Sequence, residues 1–211
     1  EQRTGGGVRP SLVTLDKVPV WADKPGPAAP AESALPPCPA VNSKVSLYHG
    51  AVMDVGTDAC VNAANQGCMG GGGVDGAIHD QAGDLLRREC ATFNGCKCGQ
   101  TRITKAYNLP AKFVLHTVGP IGEDEARLTS CYNTCMELVE RHGLRSIAFC
   151  CISTGIFGYP LEEATRVALS TISAWLRRDG NADKVDCIVF ACFLPKEYMM
   201  YERLMPEYFP K

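Results

Sequence analysis

The sequence predicts a layered α/β domain with helices on both faces of a mainly parallel sheet. Three observations predict it. From Lys44 onward, strand-like and helix-like patterns alternate, as they do where each strand is followed by a crossover helix. Two runs, RSIAFCCIS (145–153) and KVDCIVFACF (184–193), are largely apolar and rich in β-branched residues, as strands buried on both faces are. Two glycine loops directly follow apolar runs, at the strand ends where open α/β sheets bind their ligands.

In chain order, residues 1–43 read as an N-terminal extension and residues 44–211 as the domain. Residues 1–10, with Gly5–Gly7, are expected to be disordered, and SLVTLDKVPVW (11–21) is apolar enough to dock on the domain. Residues 22–40 hold Pro25, Pro27, Pro30, Pro36, Pro37 and Pro39 among small residues, which predicts a semi-rigid strap. KVSLYHGAV (44–52) reads as a strand and DACVNAA (58–64) as a second, more buried one. Gly70–Gly73 is a loop. Val74 to about Cys90 reads as one helix, with Ile78, Ala82, Leu85 and Leu86 roughly periodic. RITKAYNL (102–109) and KFVLHTV (112–118), separated by Pro110–Ala111, predict a strand pair. Residues 124–142 and 161–178 carry amphipathic helical patterns, and residues 195–207 a closing helix. In such a fold the loops after residues 50, 64, 118, 152 and 193 meet at the ligand site.

Composition narrows the function. The net charge of -2, with both signs mixed along the chain, argues against a duplex-DNA binder held by phosphate contacts. No basic stripe interleaved with aromatics suggests single-stranded nucleic acid. No apolar stretch is long enough to span a bilayer, so neither a nucleic-acid nor a membrane partner is expected. Several of the 12 cysteines sit in apolar runs, such as Cys150, Cys151 and Cys192. That fits small buried hydrophobes kept reduced inside the cell better than a disulfide scaffold. Cys96–Cys98 and Cys131–Cys135 lack partner pairs at zinc spacing, so no metal is expected.

The strongest motif runs Asn62-Ala-Ala-Asn65-Gln-Gly-Cys-Met-Gly70-Gly-Gly-Gly73-Val74-Asp75. A buried strand enters a four-glycine loop and then a helix. Free amides at a loop and a helix N-terminus form an anion nest, and glycines admit close approach. Phosphate is the natural guest, against the plainer reading of a flexible turn. The loop is not a Walker A motif, because no Gly-Lys-Ser/Thr follows. A second loop, Ser153-Thr154-Gly155-Ile156-Phe157-Gly158-Tyr159-Pro160, follows another apolar strand. The two together predict a diphosphate gripped from both sides. Asp75 and His79, at i and i+4, share a helix face. One reading makes Asp75 a helix-start residue favoured by the dipole, with His79 as its partner. The other makes it an oriented carboxylate beside the phosphate loop, tuned by an imidazole. The residues alone leave both open.

NAANQGCMGGGGVDGAIHDQAG, ITKAYNLPAKFVLHTVGP and ISTGIFGYP resemble three blocks of the MacroD-type macrodomain family. VPVW at 18–21 resembles the short segment such proteins carry before the domain. The resemblance covers residues 45–205 almost without gaps. It implies a three-layer α/β/α fold around a mixed sheet, with ADP-ribose in a cleft across the strand ends. It implies that Asn65 hydrogen-bonds the distal ribose and that Gly72, Gly73 and Val74 pack on that ribose and its phosphate. Ser153, Thr154, Gly155, Ile156 and Phe157 correspond to the diphosphate loop, Phe193 to the position that stacks on adenine, and Asp75 and His79 to the pair implicated in hydrolysis.

The implied activity is removal of mono-ADP-ribose from Asp and Glu esters of proteins, and deacetylation of O-acetyl-ADP-ribose, by a monomer needing no cofactor. The alternative is a non-catalytic ADP-ribose reader. One departure stands out. Where the family carries Gly-Asp-Ile, with the Asp accepting from the adenine amino group, this chain has Gly50-Ala51-Val52. Val52 keeps a backbone amide to offer, but Ala51 accepts nothing. Gln66-Gly67 also replaces a more usual pair of serines.

Overall fold

The computed structural model describes residues 12–25 and 35–211. Its elements are α1 (Pro39–Asn42), β1 (Val45–His49), β2 (Ala59–Ala63), α2 (Gly73–Ala82), α3 (Asp84–Cys90), β3 (Thr101–Lys105), β4 (Phe113–Thr117), α4 (Glu125–Arg141), β5 (Ser146–Phe149), α5 (Leu161–Leu176), β6 (Cys187–Cys192) and α6 (Pro195–Tyr208). The six strands form one sheet in the order β1-β6-β5-β2-β4-β3. All neighbours are parallel except β3, which pairs antiparallel with β4 at the edge. The sheet is therefore mixed, with the expected strand pair as its hairpin. The apolar runs occupy its middle: every residue of β5 is buried, and all of β6 but its first.

The three layers follow from side-chain alternation along the strands. On β4, His116 turns to the face of α3, where its Nε2 lies 3.6 Å from Cys90 Sγ. The next residue, Thr117, pairs with Thr101, whose hydroxyl reaches the other way to Thr134 and Cys135 of α4. An aromatic chain Tyr132–Phe149–Phe190–Tyr201, with centroid separations of 5.1, 6.3 and 5.4 Å, ties α4 and α6 to β5 and β6 on that second face. Helix α5 packs between α4 and α6.

The structure corrects the sequence reading in three places. The helix expected from Val74 to Cys90 is two helices, α2 and α3, parted at Gly83. Gly83 has φ +87, and a Cβ there would come within 2.9 Å of Asn108 Nδ2. Apolar periodicity continues through the break because both helices cover the same face, so periodicity alone does not reveal it. The proline strap ends in a short helix, α1, whose Val41 and Asn42 are buried; Asn42 Nδ2 donates to the Pro210 carbonyl at 2.6 Å. Cys150 and Cys151, read as strand, lie beyond the last β5 residue.

The apolar segment before the strap docks as expected. Val13 bridges Val55 and Val20 bridges Ser46, while Trp21 is buried and donates to the Phe209 carbonyl at 2.9 Å. Residues 1–11 and the middle of the strap, 26–34, lie outside the described residues. All 12 cysteines are free thiols, and no described helix is long and apolar enough to cross a membrane.

Candidate active site

Asn65 organises the first loop. Its Nδ2 donates to the Gly70 carbonyl at 3.0 Å and to Asp75 Oδ2 at 3.4 Å, and its Oδ1 accepts from the Gly67 amide at 3.0 Å. The side chain thus closes the loop back onto the helix that follows. Glycine is required by closeness here. A Cβ on Gly71 would stand 3.0 Å from Asn65 Nδ2 and 3.2 Å from Asp75 Oδ2, and one on Gly76 would run into the Gly71 carbonyl.

Asp75 is buried in the first turn of α2. Its Oδ1 accepts from Asn62 Nδ2 at 2.8 Å, and the same Nδ2 lies 3.1 Å from His116 Nδ1. The carboxylate fixes the Asn62 amide with its nitrogen towards Asp75, so that nitrogen also donates to His116. His116 Nδ1 is then the acceptor and Nε2 carries the proton, which it donates to Thr104 Oγ1 at 3.0 Å. Burial, with His79 next in importance, pushes the His116 pKa down to about 3, so this ring is neutral and the chain Asp75–Asn62–His116–Thr104 has a fixed polarity.

His79 stands apart from that chain. Its Nε2 is 3.6 Å from Asp75 Oδ1, ion-pair range without a hydrogen bond, and neither ring nitrogen has a hydrogen-bond partner among the described residues. Burial depresses its pKa more than the neighbouring Asp75 charge raises it. The holding of Asp75 expected of His79 is carried out by Asn62 and Asn65.

The second loop is shaped by backbone. Ser153 adopts φ +66 and is buried with its hydroxyl unpartnered. Thr154 Oγ1 donates to the Cys151 carbonyl at 3.1 Å, and the Tyr159 amide returns to the Ser153 carbonyl at 3.0 Å. Ile156 reaches across to the first loop: its Cδ1 lies 2.8 Å from where a Gly72 Cβ would stand.

Between the loops runs a cleft of about 660 Å³, well within the range of small-molecule sites. Val52, Asn65, Gly72, Gly73, Val74, Asp75, Ser153, Thr154, Gly155, Ile156, Phe157 and Phe193 all line it. His79 does not; its Nε2 lies 3.6 Å from Asp75 Oδ1, away from the cleft lining. Strand order lays the cleft out. Ala51 and Phe193 follow the neighbouring strands β1 and β6, the Ser153 loop follows β5, and Asn65 follows β2.

Sequence reasoning missed Asn62, His116 and Thr104, whose partners are remote in the chain, and the cleft residues Met53, Cys150, Cys151 and Glu197. Glu197 is 8% exposed and one carboxylate oxygen accepts the Leu194 amide at 2.9 Å. With Asp75 it is one of two carboxylates that line the cleft among the described residues. Spacing tests also did not signal that buried His79, Cys90 and His116 bring donor atoms within 4.8 Å of one another. Both His116 nitrogens are engaged by Asn62 and Thr104, and burial pushes the Cys90 thiol up to about 12, so His116 and Cys90 belong to a hydrogen-bonded core that His79 adjoins without a bond.

The Macro domain family model matches residues 61–168. The ADP-ribose glycohydrolase MACROD1 of Rattus norvegicus is 45% identical over 207 residues, covering 94% of this chain and 80% of that protein. The ADP-ribose glycohydrolase MACROD2 of Xenopus laevis is 43% identical over 209 residues, covering 94% of this chain but only 50% of that protein. The crystal structure of the Trypanosoma brucei macrodomain in complex with ADP-ribose superposes with a TM-score of 0.79 at 49% identity, covering 92% of this chain and 77% of that one.

Proposed function

The chain belongs to the Macro domain family, and on that premise we propose that it hydrolyses mono-ADP-ribose from ester-linked Asp and Glu side chains of proteins. O-acetyl-ADP-ribose is a second substrate, because its ester is chemically similar. The observation that carries the reading is a buried carboxylate, Asp75, held by two asparagines in the wall of a cleft whose two glycine loops suit a diphosphate.

The bond that breaks joins the anomeric carbon of the distal ribose to a carboxylate oxygen. Water supplies the replacing hydroxyl and the free carboxylate leaves. Such an ester needs little activation, so positioning supplies much of the rate. Asp75, or a ligand phosphate oxygen, orients the water and takes its proton. Asn65 lies between the glycine loop and Asp75, where it meets the distal ribose hydroxyls. The amides of Gly72, Gly73 and Val74 face those of Thr154, Gly155, Ile156 and Phe157 across the diphosphate.

At the other end Phe193 is 68% exposed and free to cover the adenine ring, while the Val52 amide reaches the ring edge. The Ala51 side chain has no acceptor for the adenine amino group, and the Glu197 carboxylate in the same wall takes that part. No step uses a metal or an organic cofactor. Loss of label from a protein mono-ADP-ribosylated on glutamate tests the reading: release of ADP-ribose supports it, and tight ADP-ribose binding with the label retained leaves a reader module instead.

A further inference from the structure

A second cavity, of about 420 Å³, opens on the far side of Asn65 and Phe157. Those two residues line both cavities, so the second begins where the ribose end of the first stops. Its outer wall is the segment Gly119–Pro120–Ile121 after β4, with Asp124 and Arg127 at the start of α4. The segment is fixed in place: the Gly122 amide donates to the Phe157 carbonyl at 2.7 Å, joining it to the diphosphate loop. At its crest Ile121 is 82% exposed, the most exposed large apolar side chain among the described residues. The next two, Ile156 at 77% and Phe193 at 68%, line the ADP-ribose cleft. Apolar side chains held out by ordered backbone at cavity rims are the usual mark of surfaces that a ligand covers.

We propose that this second cavity receives the polypeptide that carries the ADP-ribose. The inference rests on the hydrolase reading above, because the leaving carboxylate departs from the anomeric carbon of the ribose beside Asn65. The modified acidic side chain passes between Asn65 and Phe157, and an apolar neighbour in the substrate rests on Ile121. A further ADP-ribose unit fits the wall poorly. It would bring two phosphates, whereas Arg127, the one cation lining the cavity among the described residues, already pairs with Asp124 at 3.4 Å, and Glu123 and Glu125 flank that aspartate in sequence. Like charges at close range disfavour a polyanion there.

The test compares substrates with and without a polypeptide. Ile121→Asp removes the apolar crest at a position where nothing depends on burial. With a glutamate-ADP-ribosylated peptide carrying an apolar neighbour, KM should rise roughly tenfold, the scale set by losing most of one buried aliphatic side chain. KM for O-acetyl-ADP-ribose should not change. A readout independent of turnover uses the Asp75→Asn background, in which calorimetry should show the peptide binding several-fold more tightly than free ADP-ribose and Ile121→Asp erasing that margin. Equal affinity of the peptide and ADP-ribose for Asp75→Asn, or an Ile121→Asp effect that is absent or common to both substrates, overturns the proposal. A wild-type protein that binds the peptide with the margin but leaves both esters intact sinks the hydrolase reading and keeps the docking site.

Discussion

The β2 side of the cleft and its β1–β6 side are built on different principles. On the β2 side Asp75 is 3% exposed and tied through Asn62 and Asn65 to a loop carbonyl, a neutral imidazole and a threonine hydroxyl. On the β1–β6 side Phe193 is largely exposed, the Ala51 side chain offers no polar atom, and the Glu197 carboxylate supplies the charge. The contrast teaches where geometry is needed. Chemistry at the ribose depends on a carboxylate held in one orientation before substrate arrives. On the proposed reading, recognition of a flat base needs only an exposed aromatic and one acceptor, which can come from either of two strands' ends. The intervening loop after β5 lines the cleft between the two sides, where the proposed function has its backbone amides serve both.

The largest effect expected is on that shared middle. Gly155→Glu should abolish ADP-ribose binding by calorimetry while leaving thermal stability intact. No atom lies within 4 Å of a Cβ at Gly155, so the new carboxylate enters the cleft without strain and meets the diphosphate. Unchanged affinity would remove the two-loop grip from the account.

The β2 side makes a prediction about pH. His116 has a folded pKa of about 3 against an ordinary 6.5. Below pH 6.5 the unfolded chain takes up a proton that the native ring refuses, so stability is fully present above that pH and falls as pH falls towards 3. By pH 4 the loss amounts to ~3 kcal/mol at 1.36 kcal/mol per unit. His79, depressed by burial in the same direction, adds to it. His116→Gln should start from a lower Tm and lose less of it between pH 6.5 and 4. Parallel Tm profiles in the two proteins would contradict a neutral, buried His116.

On the β1–β6 side, Glu197→Gln should weaken ADP-ribose binding by roughly tenfold relative to IDP-ribose, the scale of one charge-assisted hydrogen bond. The amide left behind offers the adenine amino group a neutral acceptor in place of a charged one. Ala51→Asp in that background should recover the loss. If neither substitution changes the ratio of the two affinities, the adenine amino group faces elsewhere. The smallest effect expected is none: turnover in EDTA should equal turnover without it. Loss restored by added zinc would make the His79–Cys90–His116 cluster a metal site.

These two sides were unequally legible in the sequence. The first glycine loop, Asn65 and Asp75 lie within one continuous stretch, and local spacing with the family resemblance was enough to bring them and the second loop into one cleft. The chain that fixes Asp75 was not legible, because Asn62 and His116 are 54 residues apart and meet only through the β2–β4 register. A polar Asn within an apolar strand was the available signal. Glu197 was hidden for a different reason: in sequence it reads as one acid of the closing helix, and only the placement of α6 beside β6 brings it to the cleft wall. Gly83 likewise ends α2 without interrupting the apolar pattern that the two helices share.

The central claim is that Asp75 performs chemistry rather than merely capping α2. Its most direct test pairs two quantities on one variant, Asp75→Ala: affinity for ADP-ribose by calorimetry, and single-turnover release of ADP-ribose from a glutamate-modified protein. The account predicts affinity within a few-fold of wild type and a release rate lower by about 10²-fold or more, the range for lost acid–base help. A release rate equal to that of the wild type, at unchanged affinity, would contradict it.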